Sequence, residues 1–318
     1  MRKRKRPTPV LPKLPKSVVY STEYGAMLHG QVENVLQAKE LDAIRGRVQL
    51  IFTSPPFPLN TKKKYGNLQG GQYLTWLSGF GPLFREMLAP DGSIVIEMGN
   101  SWEPGLPVMS TLALKSLLYF QEQNQLNLCQ EIICHNPARL PSPAQWVTIE
   151  RIRLKDSYTR LWWLSPSSRP KASNKKVLKP YSTSMKRLLK TGKFNAGRRP
   201  SEHNISEKAF AKDHGGAISP SVLLIPNTQA SDPYQKYCRD HRMEFHPARM
   251  PTALPEFFIK YLTDPGDIVL DPFGGSNTTG AAADSLGRYW VSVEPNSHYI
   301  RGSMGRFDAK RLHVFKRK

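Results

Sequence analysis

Cysteine is scarce. The 318-residue chain has three, Cys129, Cys134 and Cys238, with neither a CxxC pair nor the Cys/His spacing of a metal site. That excludes a disulfide framework, gives no reason to expect a metal, and leaves reduced structural thiols. Also missing is any run of about 18 apolar residues, so no membrane-spanning helix is expected. The N-terminus, MRKRKRPTPV, has no apolar stretch behind its charges and does not fit a secretory signal, so an intracellular protein is expected. Acidic residues are thin in two places. Residues 1–16 carry seven Lys/Arg and no Asp/Glu, and residues 151–212 carry seventeen Lys/Arg against Asp156, Glu202 and Glu207. The rest of the chain has twenty-two of each sign, so the net charge of +21 is wholly regional and points to a polyanion-binding surface. A short basic arm is as often a solvated tail or a targeting signal. The second segment interleaves Tyr158, Trp162, Trp163 and Tyr181 with its charges, a pattern read as contact with sugars or bases.

Several short β-branched runs stop at turn residues, each followed by a stretch that reads as helix. Val48 to Thr53 ends at Ser54-Pro55-Pro56, Ser93 to Met98 at Gly99, Ile268 to Leu270 at Asp271, and Trp290 to Val293 at Glu294. Such runs are buried parallel strands whose carboxyl ends carry the polar residues. Helices are predicted over Tyr73 to Leu88, Pro255 to Leu262 and Thr278 to Leu286. The alternation predicts an α/β fold with a doubly wound, Rossmann-like sheet and ligands at the carboxyl ends of its strands. From 165 to 235 the chain turns rich in Pro, Ser, Lys and Gly and reads as an insertion. No internal repeat is visible. The expected division is a basic arm (1–18), a first half of the sheet domain (19–164), the insertion (165–235), a second half (236–308) and a basic tail (309–318).

Two constellations carry chemistry. In Thr53-Ser54-Pro55-Pro56-Phe57, two prolines stiffen the turn and remove two donors, leaving carbonyl oxygens free to accept. The exocyclic amine of cytosine or adenine is a poor nucleophile because its lone pair is delocalised into the ring. If the Ser54 hydroxyl and the Pro55 carbonyl both accept from that amine, its nitrogen is pushed toward tetrahedral geometry and can face a methyl donor, with Phe57 stacking on the extruded base. The competing reading is an ordinary Pro-rich turn. The second constellation is Asp271-Pro272-Phe273-Gly274-Gly275-Ser276-Asn277-Thr278-Thr279, at a strand-to-helix turn. Its glycines allow close approach of a ligand, and Phe273 offers an apolar face to a purine. A phosphate-binding P-loop would need a lysine where Asn277 stands. Asn277 occupies the place of a third glycine and tolerates left-handed backbone better than most residues. Glu294, one β-α-β step later, is placed to take both hydroxyls of a ribose.

Together these motifs resemble those of the amino-group DNA methyltransferases, in the permuted order of their β class, with the cytosine-N4 members nearest. The likeness takes in Lys64-Tyr65-Gly66-Asn67, Leu140-Pro141-Ser142-Pro143, Trp146, Arg153 to Asp156, Trp162-Trp163, His246-Pro247-Ala248-Arg249 and Pro255-Glu256-Phe257-Phe258, and runs from about 20 to 307. The resemblance implies S-adenosylmethionine as cofactor, duplex DNA as substrate and base flipping. It implies the target-amine role for Ser54, Pro55, Pro56 and Phe57. It implies cofactor contacts from Asp271, Phe273, Gly274, Gly275, Ser276, Asn277, Thr278 and Glu294, and a methionine pocket completed by His246, Pro247 and Phe258. Residues 165–235 become the target-recognition region, and a separate restriction endonuclease becomes an expected companion. Lys62, Lys63, Lys64, Arg151, Arg153, Lys155, Lys175, Lys176 and Lys179 are the expected DNA contacts. Two positions depart from the pattern. Gln31 stands where the family commonly has an acid, and Glu97 where the nearest members have Asp, which keeps a carboxylate but lengthens it.

Cytosine-C5 methylation is excluded on chemistry, since it uses a Pro-Cys thiolate and none of the three cysteines follows a proline. Adenine-N6 methylation obeys the same amine logic and remains the alternative; Ser at position 54 favours cytosine. A non-catalytic DNA-binding relative is the other alternative, disfavoured because both sites are intact. No RNA-binding motif is visible.

Overall fold

The computed structural model describes residues 11, 13–57, 70–193, 196–206, 210, 212–228 and 232–315. Lys62, Lys63, Lys64 and the basic arm at Arg2 to Arg6 lie outside them. The chain divides into two compact units, Met1–Ala172 with Ser221–Lys318, and Ser173–Pro220.

In chain order the strands are β1 (Val18–Ser21), β2 (Gly25–His29), β3 (Val48–Thr53), β4 (Leu88–Gly99), β5 (Ser101–Trp102), β6 (Met109–Ser110), β7 (Asn127–His135), β8 (Tyr158–Ser165), β9 (Gly197–Arg198), β10 (Asn204–Ile205), β11 (Val222–Leu224), β12 (Ile268–Asp271), β13 (Tyr289–Glu294) and β14 (His313–Val314). The helices are α1 (Val32–Leu36), α2 (Gly70–Ser78), α3 (Gly81–Met87), α4 (Leu112–Gln123), α5 (Thr183–Thr191), α6 (Pro233–Asp240), α7 (Ala253–Leu262), α8 (Thr278–Ser285) and α9 (Ser297–Ser303).

Ten strands form one sheet in the order β11-β7-β8-β4-β3-β12-β13-β2-β1-β14. Its centre, β4-β3-β12-β13-β2, is parallel, while β8 runs against both of its neighbours. All six residues of β3 are buried, because helices cover both faces. Val48 and Ile51 face a cluster with Leu36 of α1, Tyr73 of α2, Phe84 of α3 and Leu117 of α4. Leu50 and Phe52 face the other cluster, with Phe258 of α7, Ala282 of α8 and Ile300 of α9. A strand buried on both sides reads as a largely apolar run, which is why β3 and β13 are legible from sequence.

The helix predicted over Tyr73 to Leu88 is two helices. The chain breaks at Gly79-Phe80, and Pro82 stands in the first turn of α3, where its missing N–H costs nothing. Two of the four aromatic residues read as nucleic-acid contacts require correction. Trp162 and Trp163 lie on β8, 6% and 7% exposed, with their indole N–H groups donated to Glu131 and Ser93. They are core residues.

The Ser173–Pro220 unit is narrower than the predicted insertion. Ser165 stays with the sheet through a bond from its hydroxyl to the Gly92 carbonyl, and Lys171 pairs with Asp264 and Asp267. Within the unit, α5 is capped at its start by the Ser182 hydroxyl, which accepts from Met185 N, and ended by left-handed Gly192. Lys175 and Lys176 are exposed on a short 3-10 turn, and the backbone of Lys179 pairs with Ala217. Among the described residues no helix is long and apolar enough to cross a membrane, and no cluster of His, Cys, Asp and Glu could hold a metal ion.

Candidate active site

The carboxyl ends of β3, β4, β12 and β13 open into one cavity of about 470 Å³. Its lining brings together Ser54, Pro55, Pro56, Phe57, Glu97, Asp271, Phe273, Gly274, Gly275, Ser276, Thr278 and Glu294 with His246 and Pro247. Asn277 and Phe258 are fully buried beneath it. Phe258 packs on Phe52 and Leu254, so it supports the floor and does not line it.

At the β3 end, Glu97 is buried and accepts hydroxyl protons from Ser54 and from Thr159 of β8, the latter at 3.0 Å. Burial raises its pKa, and those two hydrogen bonds work against the rise. Donating to Glu97, the Ser54 hydroxyl keeps an oxygen that can still accept. The Pro56 carbonyl is engaged by the Tyr73 hydroxyl at 2.7 Å. The Phe57 ring lies so close to Gly99 that a Cβ there would collide with it.

At the β12 end, Asp271 accepts from the Thr53 hydroxyl at 2.9 Å and from Phe273 N at 3.1 Å. Glu294 accepts from Gly275 N at 2.8 Å and from Asn296 N at 2.9 Å. Neither carboxylate has a cationic partner among the described residues, and burial pushes Asp271 up to about 6 and Glu294 up to about 7. Gly275 has φ +50°, and a Cβ on it would stand 3.0 Å from His246 Nε2. The His246 ring is pushed down to about 4, chiefly by burial, and is therefore neutral; its Nδ1 accepts from Ala248 N at 3.3 Å.

Sequence reasoning missed what holds this loop. Asn277 adopts left-handed backbone (φ +53°), and its side chain does work a glycine could not: Oδ1 accepts from Gly280 N at 3.2 Å and from the Ser292 hydroxyl at 2.7 Å, while Nδ2 donates to the Tyr20 hydroxyl at 2.9 Å. Tyr20 also meets Ser303 at 2.6 Å. Arg306 donates to the Ser276 carbonyl at 2.6 Å and pairs with Asp232, the cap of α6. No local pattern marks Tyr20 or Arg306, because their partners lie far away in sequence. Tyr20→Phe strands the Asn277 amide in a dry interior and should lower the unfolding free energy by about 1–3 kcal/mol. Urea denaturation at constant m-value checks this.

The expected DNA contacts scatter. Arg151 is exposed. Arg153 does not offer a free guanidinium: it lies over the Trp102 ring with its nitrogens shielded. Lys155 donates to the carbonyls of Pro137 and Arg139 at 3.0 and 3.2 Å and secures that loop.

The family model described as DNA methylase, covering the N6 and N4 enzymes, matches residues 48–305. The chain belongs to this family. Among curated DNA methylases it is 40% identical over 294 residues to the type II methyltransferase M.PvuII of Proteus hauseri, covering 92% of this chain and 86% of that one. The structure of the PvuII DNA methyltransferase, described as cytosine-N4-specific, superposes with a TM-score of 0.74 at 33% identity over 93% of this chain and 90% of that one. The M1.HpyAVI–SAM complex shares the methylase fold at a TM-score of 0.52 and 20% identity, over 89% and 98% of the two chains.

Proposed function

We propose that the chain transfers a methyl group from S-adenosylmethionine to the exocyclic N4 of cytosine in duplex DNA. The observation that carries this reading is the joining, in one cavity, of a Ser54 hydroxyl bonded to Glu97 with two buried carboxylates that have no cationic partner among the described residues. Its kinship with the PvuII enzyme supports cytosine over adenine.

The cofactor fits on the chemistry of the site. Gly275 leaves space that a Cβ would fill, and Asp271 and Glu294, buried without a cationic partner among the described residues, suit a ligand bearing positive charge and hydroxyl donors. S-adenosylmethionine supplies both, with an electrophilic methyl on a sulfonium. Glu294 would hold the ribose, Asp271 and the neutral His246 the methionine end, and Phe273 the purine. On the other side, Ser54 Oγ and the Pro55 carbonyl accept from the base amine and aim its lone pair at the methyl, while Phe57 supports the flipped ring. Glu97 is placed to take the proton the amine releases, through Ser54. The Ser173–Pro220 unit serves as target-recognition region. The chain would act on DNA inside the cell, and the type II designation of its Proteus relative supports a companion endonuclease acting separately.

Mass spectrometry of nucleosides from DNA treated with the purified chain and cofactor tests this. N4-methylcytosine is expected. N6-methyladenine alone would overturn the base assignment and keep the mechanism; no methylated nucleoside at all would favour a binding protein.

The pH dependence of cofactor affinity follows from Glu294. Its folded pKa lies above its unfolded one, so the folded apo chain favours the proton, and this share of stability is lost as pH rises toward about 7. A ligand that needs the carboxylate therefore binds better as pH rises. Affinity for S-adenosylmethionine should increase up to about tenfold from pH 6 to pH 8. Glu294→Gln should bind more weakly and flatten that rise, as read by calorimetry.

A further inference from the structure

We infer that Asn136 is a specificity-determining residue that reads the ring edge of the target base, offering its amide N–H groups to the N3 and O2 acceptors of cytosine. This rests on the cytosine-N4 reading above.

Sheet order gives the direction in which the base must lie. β3, which delivers Ser54, stands between the cofactor strands β12 and β13 on one side and β4, β8 and β7 on the other. A base that presents its amine at Ser54 to a methyl held over β12 and β13 extends its ring the other way, over β4 and β8 toward β7. Asn136 follows β7 directly and lines the same cavity as Ser54. Three strand spacings of about 4.8 Å separate β3 from β7. Two side chains, a pyrimidine and a hydrogen bond of about 3 Å at each end span that gap.

The orientation of the Asn136 amide is dictated by its neighbours. Its Oδ1 accepts from Ala138 N at 3.1 Å and from Asn227 N at 3.3 Å, while its own backbone N donates to the Ser157 carbonyl at 2.8 Å. With the oxygen held by two backbone donors, Nδ2 is the group left for a ligand. Along the same wall Thr159 donates to Glu97 and Asn227 Nδ2 donates to the Arg249 carbonyl at 2.9 Å, while Arg139 faces Asp156 at 3.7 Å and the Tyr158 oxygen accepts from Arg160. Beside its amine, cytosine carries two acceptors in succession, N3 and O2. Adenine in the same pose carries N1 and then a C2–H, which leaves a donor facing carbon, and a donor stranded in this way discriminates strongly.

Asn136→Asp separates reading from scaffolding, because an aspartate keeps an oxygen for both backbone N–H groups and replaces only the donor. Once the methylated site is mapped, single-turnover methylation of a duplex carrying it is compared with a duplex in which the target cytosine is adenine. Asn136→Asp should slow transfer to cytosine about a hundredfold and lower the cytosine-to-adenine rate ratio by about tenfold or more, with S-adenosylmethionine affinity unchanged. A variant with the wild-type ratio overturns the inference while leaving the cytosine assignment standing. A wild-type chain that methylates adenine and not cytosine overturns both. Should the variant not fold, the wild-type chain on a 3-deazacytosine target, which lacks the N3 acceptor, should react about tenfold more slowly than on cytosine, whereas Asn136→Ala should react with the two bases at nearly the same rate. Equal slowing in the two chains overturns the inference.

Discussion

Ser54→Ala should lower the rate of methyl transfer by about 10²–10³-fold and leave the affinity for S-adenosylmethionine unchanged. The Ser54 oxygen acts on the substrate amine only when the base is in place, and loss of one such oriented group typically has this effect on turnover. Glu97, which receives the Ser54 proton, keeps Thr159 as a partner in the variant, so the buried carboxylate is not stranded. Glu294→Ala should show the opposite split, with most of its loss in equilibrium cofactor binding, because its proposed partners are ribose hydroxyls and it already anchors Gly275 N. Loss of cofactor binding in Ser54→Ala, or full cofactor binding in Glu294→Ala, would show that the two ends of the cavity have been misassigned.

DNA affinity should fall about a thousandfold between 50 and 200 mM salt, as expected for roughly six phosphate contacts at a slope near −0.9 each. The Ser173–Pro220 unit holds eleven Lys/Arg against Glu202, Glu207 and Asp213, an excess that duplex DNA complements. Glu202 is partly occupied by Arg198 at 3.6 Å. Neutralising Lys175, Lys176 and Lys179 together should flatten the salt slope and leave cofactor affinity intact, because the cofactor cavity is lined by other residues. A full wild-type slope in the folded triple variant would assign these lysines to ordinary solvated surface.

What could be read in advance follows physical lines. The run from Val48 to Thr53 occupies β3 residue for residue, since burial on both faces keeps its centre, Leu50 to Phe52, wholly apolar. The motifs at Ser54 and Asp271 were legible because chemistry confines them to a few residues at a strand end, and they meet in one cavity. β7 is not legible: four of the first five residues of Asn127–His135 are exposed, and only Ile132 and Cys134 are buried. Trp162 and Trp163 misled because basic neighbours in sequence suggested an exposed surface, whereas pairing with β4 and β7 buries them. Asn277 was noted as an odd replacement for glycine, but its reason, a hydroxyl 257 positions away, exists only in the folded chain. Arg153 has the charge and the family position of a DNA contact, and only the structure supplies the Trp102 ring that covers it.

At the far edge of the sheet, Tyr20 on β1 stands opposite Val314 on β14. Residues almost three hundred positions apart are thereby adjacent, so the order of the two halves along the chain is a matter of wiring and not of architecture. A short bridge from β14 to β1, together with a cut before α6, would give a chain that begins with α6, α7 and the cofactor strands and ends with the Ser173–Pro220 unit and β11, while every strand keeps its neighbours. The same catalytic surface is thus open to more than one linear reading, and the permuted orders seen among amino-group methyltransferases need no rearrangement of the folded protein.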